Sequence, residues 1–324
     1  MRKTHLWFGI GLVAVLLLTL ALSGCRASEA KYPSRPVTMA VGASAGSPQD
    51  LQGRVLAKAS EKLLKSSISV ENRAGGGGAE VFNYVKDQPA DGYAVGMTTR
   101  SSVYILARPD LPAKSEDFEW IIRLTSDPTA IIVRPDSQFK TIEDLIQYAK
   151  ANPGKIKIGG ALTGGINQAM MELFSTKAGI KMTWVAFDGA SQATTAALGG
   201  QVDAIQMTPG SAVALLTEGK LKALGVTSDK RLSYMPDSPT FKERGIDMVE
   251  YNWRGAFVKK GTPPEIVKTL HDTFKQAMDA PEWKDYVTKN KQEETYMNTA
   301  DFNKAIVTET ESAKAFLKQI GTIK

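Results

Sequence analysis

From Arg35 onward the chain repeats one unit: a short apolar run rich in β-formers, a loop of glycine and serine, then an amphipathic helix. Residues 37–41 read as a strand, 42–46 as a loop, and 47–64 as a helix. Ser47-Pro48-Gln49-Asp50 places serine at the N-cap, proline at the first helical position and an acid at N3, a capping box. Leu51, Val55, Leu56, Ala59 and Leu63 then fall on one face. The unit recurs as strand 67–70, loop 74–78, helix 79–87 and strand 92–98. It returns as strand 155–159, loop 160–165, helix 166–178 and strand 181–185. After the turn Phe187-Asp188-Gly189 come helix 191–198, strand 202–206, helix 210–218 and strand 223–226. Strands alternating with helices in this way predict right-handed βαβ units, an α/β fold and mixed, mostly parallel sheets with flanking helices.

The glycine loops cluster near residues 42–78 and 159–189, which predicts two α/β domains with facing clefts. Between the clusters, strands at 120–124 and 130–133 flank a turn-like Ser126-Asp127-Pro128, and Thr141 with Asp144 opens a helix to residue 151. The segment after Trp253 reads as helical, with a capping box in Thr262-Pro263-Pro264-Glu265 and helices over 266–278, 281–289 and 300–320. With few strands of its own, it is expected to return to the first domain and make that domain discontinuous. The expected division is 32–130 with 254–324 as domain 1, and 131–253 as domain 2.

Ahead of this pattern, Arg2 and Lys3 precede an almost wholly apolar run over 6–22, then Leu22-Ser23-Gly24-Cys25 and a polar stretch. That is the layout of an export signal. Its ending is similar to the bacterial lipobox, whose cysteine is diacylated and becomes the mature N-terminus. The competing reading is an uncleaved transmembrane anchor; both place the rest of the chain outside the cytoplasm. The expectation is a lipoprotein signal peptide over 1–24 and a lipidated tether over 25–31, because the single cysteine sits where lipidation needs it.

That cysteine count excludes disulfides, cysteine-ligated metal and cysteine nucleophiles inside the folded part. The two histidines are His5 and His271, and His5 leaves with the signal, so Ser-His triads and His-based zinc sites lack their imidazoles. His271 reads as an ordinary helix residue. The formal net charge of +6 is spread among acids, as in Glu61-Lys62 and Lys284-Asp285, which describes a solvated surface and no nucleic-acid footprint.

In open α/β sheets, ligands bind beyond the carboxyl ends of the strands, where helix N-termini offer unpaired N–H groups to an anion. Loops 42–47, 74–78 and 160–165 fit by position. The rival, nucleotide binding, lacks its marks: no Lys-Ser/Thr follows Gly75-Gly76-Gly77-Gly78, and 159–165 is not spaced G-x-G-x-x-G. For 74–78, tight-turn glycines are the simpler account, and capping accounts for Asp50. Thr163 reads either as a hydroxyl donor to a ligand carboxylate or as an N-cap. Asp188 reads either as a turn residue or as a cleft carboxylate that attracts an ammonium or hydroxyl.

Several stretches carry a family resemblance: Tyr32-Pro33-Ser34-Arg35-Pro36-Val37, Val70-Glu71-Asn72-Arg73-Ala74-Gly75-Gly76-Gly77-Gly78 and Ala90-Asp91-Gly92-Tyr93. Phe187-Asp188-Gly189-Ala190, Leu198-Gly199-Gly200-Gln201-Val202-Asp203, Gly219-Lys220-Leu221-Lys222-Ala223-Leu224 and Trp253-Arg254-Gly255 continue it. Across essentially the whole mature chain the sequence resembles the solute-binding component of tripartite tricarboxylate transporters, the Bug or TctC-like family. The resemblance implies a two-domain periplasmic-binding-protein (Venus-flytrap) fold that captures a small carboxylate without chemistry, cofactor or metal, as a monomer serving membrane transporter subunits. It places the ligand between Ser44, Ala45, Gly46 and Ser47 on one side and Thr163, Gly164 and Gly165 on the other, with Asp188 and Gly189 adjoining. The first loop lacks the family's prolines, Gln168 stands where the family usually has histidine, and Asp188 stands where a basic or small residue is common. These departures widen the expected ligand to amino acids, aromatic acids and other polar acids. Two other readings stand beside this one: a ligand-sensing receptor of the same fold, and an exported carboxylate-based hydrolase.

Overall fold

The structure, a computed structural model, describes residues 32–323. The expected signal peptide over 1–24 and the expected tether over 25–31 with Cys25 lie outside the described residues. The compact body begins at Pro36.

In chain order, β1 (Val37–Val41), α1 (Pro48–Leu64), β2 (Ile68–Asn72), α2 (Ala79–Asp87) and β3 (Ala94–Thr99) form parallel βαβ units. After α3 (Arg100–Leu106), the long β4 (Phe118–Pro128) leads directly into β5 (Ala130–Val133). Next come α4 (Ile142–Ala151), β6 (Lys157–Ala161), α5 (Ile166–Ala178), β7 (Thr183–Phe187) and α6 (Ala190–Leu198). β8 (Ala204–Met207), α7 (Val213–Thr217) and β9 (Lys222–Val226) follow. The chain ends with β10 (Tyr251–Lys259), α8 (Pro264–Ala277), α9 (Pro281–Lys289), β11 (Glu293–Met297) and α10 (Thr299–Gln319).

The first sheet has the order β11-β4-β10-β3-β1-β2 and the second β7-β6-β8-β5-β9. Pairing is parallel where βαβ units run, and antiparallel where the chain crosses between sheets or returns. The chain crosses once between β4 and β5 and once between β9 and β10. Two mixed α/β sheets joined by two crossings form the two-domain fold expected from the sequence.

Each sheet buries its own core. On the first, Phe82, Phe118, Trp120, Trp253, Phe257 and Phe302 bring α2, β4, β10 and α10 together. Phe82 stacks on Phe257 at 4.8 Å between centroids, and Trp253 meets Phe302 edge-on at 4.9 Å. Buried aromatics of this size each contribute about 1.5–3 kcal/mol, so this cluster fixes the C-terminal helix on the first sheet. The second sheet is covered by Phe139, Leu145, Phe174 and Phe241 on one face and by Ala193, Ala197, Leu221 and Leu232 on the other. Ala313, Phe316 and Leu317, near the end of α10, join the second sheet's core, so α10 spans both domains.

Four local expectations change. Ser126-Asp127-Pro128 is no turn: it ends β4, paired with Trp253, Asn252 and Tyr251 of β10, with proline at the last strand position, where a missing N–H is tolerated. Thr262 does not cap α8, whose N-cap is Pro263, and its hydroxyl donates back to the Lys259 carbonyl at 2.8 Å. The helix expected over 210–218 is a 3-10 turn over Pro209–Ala212 followed by the short α7. The last segment is not wholly helical. β11 is an edge strand paired only with β4, and Glu293 and Glu294 on it mask any apolar alternation.

Candidate ligand-binding cleft

The loop from β1 to α1 is closed by its own side chains. Asp50, 1% exposed, accepts the Gly46 N–H at 2.8 Å and Asn72 Nδ2 at 2.8 Å, with Arg54 Nε 3.0 Å away. Ser47 Oγ caps α1 by accepting the Asp50 N–H, so one arm of the expected capping box forms and the other lands on Gly46. Burial pushes the Asp50 carboxyl up, but the hydrogen bonds from Arg54, Gly46 and Asn72 outweigh it and hold its pKa below the ordinary value. Asn72 Nδ2 also holds the Ala43 carbonyl at 3.0 Å. What this loop leaves exposed is Ser44, Ala45 and Gly46 at its tip.

The loop from β2 to α2 supplies Gly75, Gly76, Gly77 and Gly78, all at positive φ. A side chain at Gly78 would come within 2.3 Å of Ser102 Oγ, so the backbone there needs glycine for close approach as well as for its conformation. A Cβ on Gly42 would sit 3.7 Å from Gly78 Cα, and one on Gly77 would sit 3.5 Å from Leu162 Cδ1. This loop therefore joins the first loop to the second domain.

The loop from β6 to α5 is part paired and part open. Leu162 has φ +59° and is 37% exposed. A left-handed backbone at a non-glycine residue costs about 1–3 kcal/mol. It is held by its N–H donating to the Phe187 carbonyl at 2.8 Å and by Trp184 Nε1 donating to its carbonyl at 3.2 Å. Gly164 donates to Oε1 of the buried Gln168 at 2.9 Å. The N-cap of α5 is Gly165, which has no side chain to cap with, so Thr163 is not the N-cap. The Thr163 N–H and hydroxyl, the Gly165 N–H and the Gln168 Nε2 amide have no acceptor among the described residues. The first-turn N–H groups of α5 are unpaired by helix geometry as well.

In the neighbouring loop, Asp188 is exposed and its N–H donates to Gln192 Oε1 at 2.8 Å, a turn interaction. Gly189 is the N-cap of α6, again without a side-chain cap. The Leu162–Phe187 bond ties this loop to the preceding one. Residues 42–47, 74–78, 162–165 and 187–189 thus form one continuous series of neighbours across the two domains.

A further set of buried polar groups, near the crossing from β4 to β5, was not legible in the sequence. Gly210 faces the Asn290 carbonyl, 3.6 Å from where its Cβ would be. Asp127 of β4 pairs with Arg254 of β10, their side chains 6% and 11% exposed. Tyr286 donates to the Pro48 carbonyl at 2.6 Å, and burial pushes its hydroxyl up to about 12. Burial also raises Tyr234 and Glu293, with Asp127 adding to both. The available signal was Arg254 itself, a cation between Trp253 and the apolar run 255–258, where it requires a buried partner. His271 lies elsewhere on α8, between Asp272 and the Tyr296 hydroxyl.

Residues 53–322 match the family described as "Tripartite tricarboxylate transporter family receptor". The chain is 33% identical over 328 residues to the UPF0065 protein in gbd 5'region of Cupriavidus necator, covering 100% of this chain and 99% of that protein. A solved TctC solute-binding protein from Polaromonas, without ligand, is 31% identical at a TM-score of 0.77, covering 89% of this chain and 99% of that one. MatC from Rhodopseudomonas palustris, solved with bound malate, is 25% identical at a TM-score of 0.74, covering 88% of this chain and 100% of that one. With a family match over most of its length and a fold shared with solved members, this chain belongs to the tripartite tricarboxylate transporter receptor family of solute-binding proteins.

Proposed function

We propose that this chain is an extracytoplasmic receptor, held to a membrane through a diacylated Cys25, that captures a small carboxylate between its two domains and delivers it to transporter membrane subunits. Ser44, Ala45, Gly46 and Ser47 form one wall, Thr163, Gly164 and Gly165 the other, and Asp188 and Gly189 the edge. The discontinuous first domain is 32–130 with 254–324, and the second is 131–253. The observation that carries this reading is the uncapped start of α5, where the Thr163 and Gly165 N–H groups and the Gln168 Nε2 amide stand open as donors. A carboxylate is acceptor-only, so it matches such a surface, and the helix terminus favours its charge without a counter-cation. The malate bound to MatC supports the ligand class.

Asp188 favours a narrower form of the same reading. Its exposed carboxylate stands beside the second open helix terminus, where it would accept the ammonium of an amino acid whose carboxylate sits on α5.

A thermal-shift screen of residues 26–324 against dicarboxylates, tricarboxylates, amino acids and aromatic acids tests this function. A ligand at one hundred times its Kd adds about 2.7 kcal/mol, which for a chain of this size raises Tm by roughly 4 °C. The expected result is a shift with one acid class, the ligand being recovered unchanged. Absence of a shift with every acid, from protein freed of ligand by unfolding and refolding, contradicts it, and so does turnover.

A further inference from the structure

A cavity of about 400 Å³, separate from the loop series, lies between α3, α5 and α10. Its walls come from both domains: α3 follows the first sheet's β3, α5 covers the second sheet, and Glu250 belongs to the segment that returns the chain to β10. Arg100, 9% exposed, sits on one side. Its Nη1 donates to Glu250 Oε2 at 2.6 Å and to the Tyr251 carbonyl at 2.9 Å, and its Nε lies 3.5 Å from Glu309 Oε2. The one guanidinium on this cavity is therefore already shared by two carboxylates.

Glu172 lines the other side, from α5, and among the described residues its carboxylate makes no hydrogen bond or ion pair. Burial raises its pKa, and Lys181 opposes that only through space. Between the two sides lie Tyr104, Met170 and Phe316, each less than a tenth exposed, with the two rings 5.9 Å apart. An anion entering here would face Glu172 and Glu250, while a neutral apolar molecule would leave Glu172 unanswered. A cation answers Glu172 and also meets the Phe316 ring, the Tyr104 ring lying 5.9 Å from the Arg100 guanidinium.

We propose that this cavity is a second ligand site, for a small organic ammonium whose charge pairs with Glu172 and whose apolar body lies against Tyr104, Met170 and Phe316. The site depends on the two-domain fold and not on the carboxylate reading of the cleft.

Benzylammonium is the probe, titrated calorimetrically into residues 26–324. Expected is saturable one-to-one binding, weakened about tenfold or more when benzyl alcohol replaces the amine and by a similar factor in Glu172→Gln. Ala315→Trp, which fills the cavity from the exposed face of α10, should abolish it. Thr163→Glu, in the cleft, should leave it within about twofold. The proposal is overturned if no heat saturates by about 10 mM, if the alcohol binds equally, if neither cavity variant weakens binding, or if Thr163→Glu removes it.

Discussion

Glutamate in place of Thr163 should weaken carboxylate binding by about 100-fold or more while leaving the melting temperature nearly unchanged. Thr163 is exposed, its N–H and hydroxyl have no acceptor among the described residues, and its side chain makes no hydrogen bond that holds the loop. The loop's conformation rests on Leu162, Gly164 and Gln168, which the substitution leaves alone. A carboxylate introduced there would satisfy the open donors itself and repel the ligand. Two like charges 4 Å apart at a partly screened site cost about 4 kcal/mol, so a 100-fold loss is a conservative expectation. Thr163→Ser, which keeps the hydroxyl, should bind within a few-fold of the parent. Isothermal titration of both variants with whichever acid gives the thermal shift measures the effect.

Asp127→Ala should cost about 3–5 kcal/mol of stability, the usual consequence of leaving a buried charge without its partner. Arg254 would keep its guanidinium in a pocket where its side chain is 11% exposed and its Nε already lacks an acceptor. For a chain of this size the loss corresponds to a fall in Tm of roughly 5–8 °C, readable by circular dichroism or calorimetry. Pairing Asp127→Leu with Arg254→Met removes both charges and should recover much of the loss. If the single variant melts like the parent, the ion pair does not hold β4 to β10 at the crossing between domains.

The parts of the fold that were legible were those in which local chemistry and tertiary structure agree. Apolar runs, glycine loops and amphipathic helices located β1 to α2 and β6 to α6, with Ser47 capping α1, and Thr141 with Asp144 forms the reciprocal cap that its spacing predicts. The glycine loops marked where the two domains meet. What was not legible depends on partners distant in sequence. Asp127 reads as a turn residue until Arg254, on a strand far along the chain, is placed beside it. β11 carries two adjacent acids, and its pairing with β4 alone makes it a strand. Loop 74–78 was rightly read as a set of tight turns, but that its Gly77 would reach Leu162 of the other domain is a property of the closed series of loops and of no local pattern. Gln168 stood out as a departure at a family position, yet its hold on the Gly164 N–H emerges only once the loop is folded.

In the proposed function an anion sits on the uncapped start of α5. The most direct measurement is a two-dimensional amide spectrum of 15N-labelled protein titrated with malate or with the acid that gives the largest thermal shift. The expected result is that the Thr163 and Gly165 amide protons move downfield and saturate with the calorimetric Kd, as N–H groups gain a charged acceptor. Saturable binding that leaves both amides where they were would contradict it.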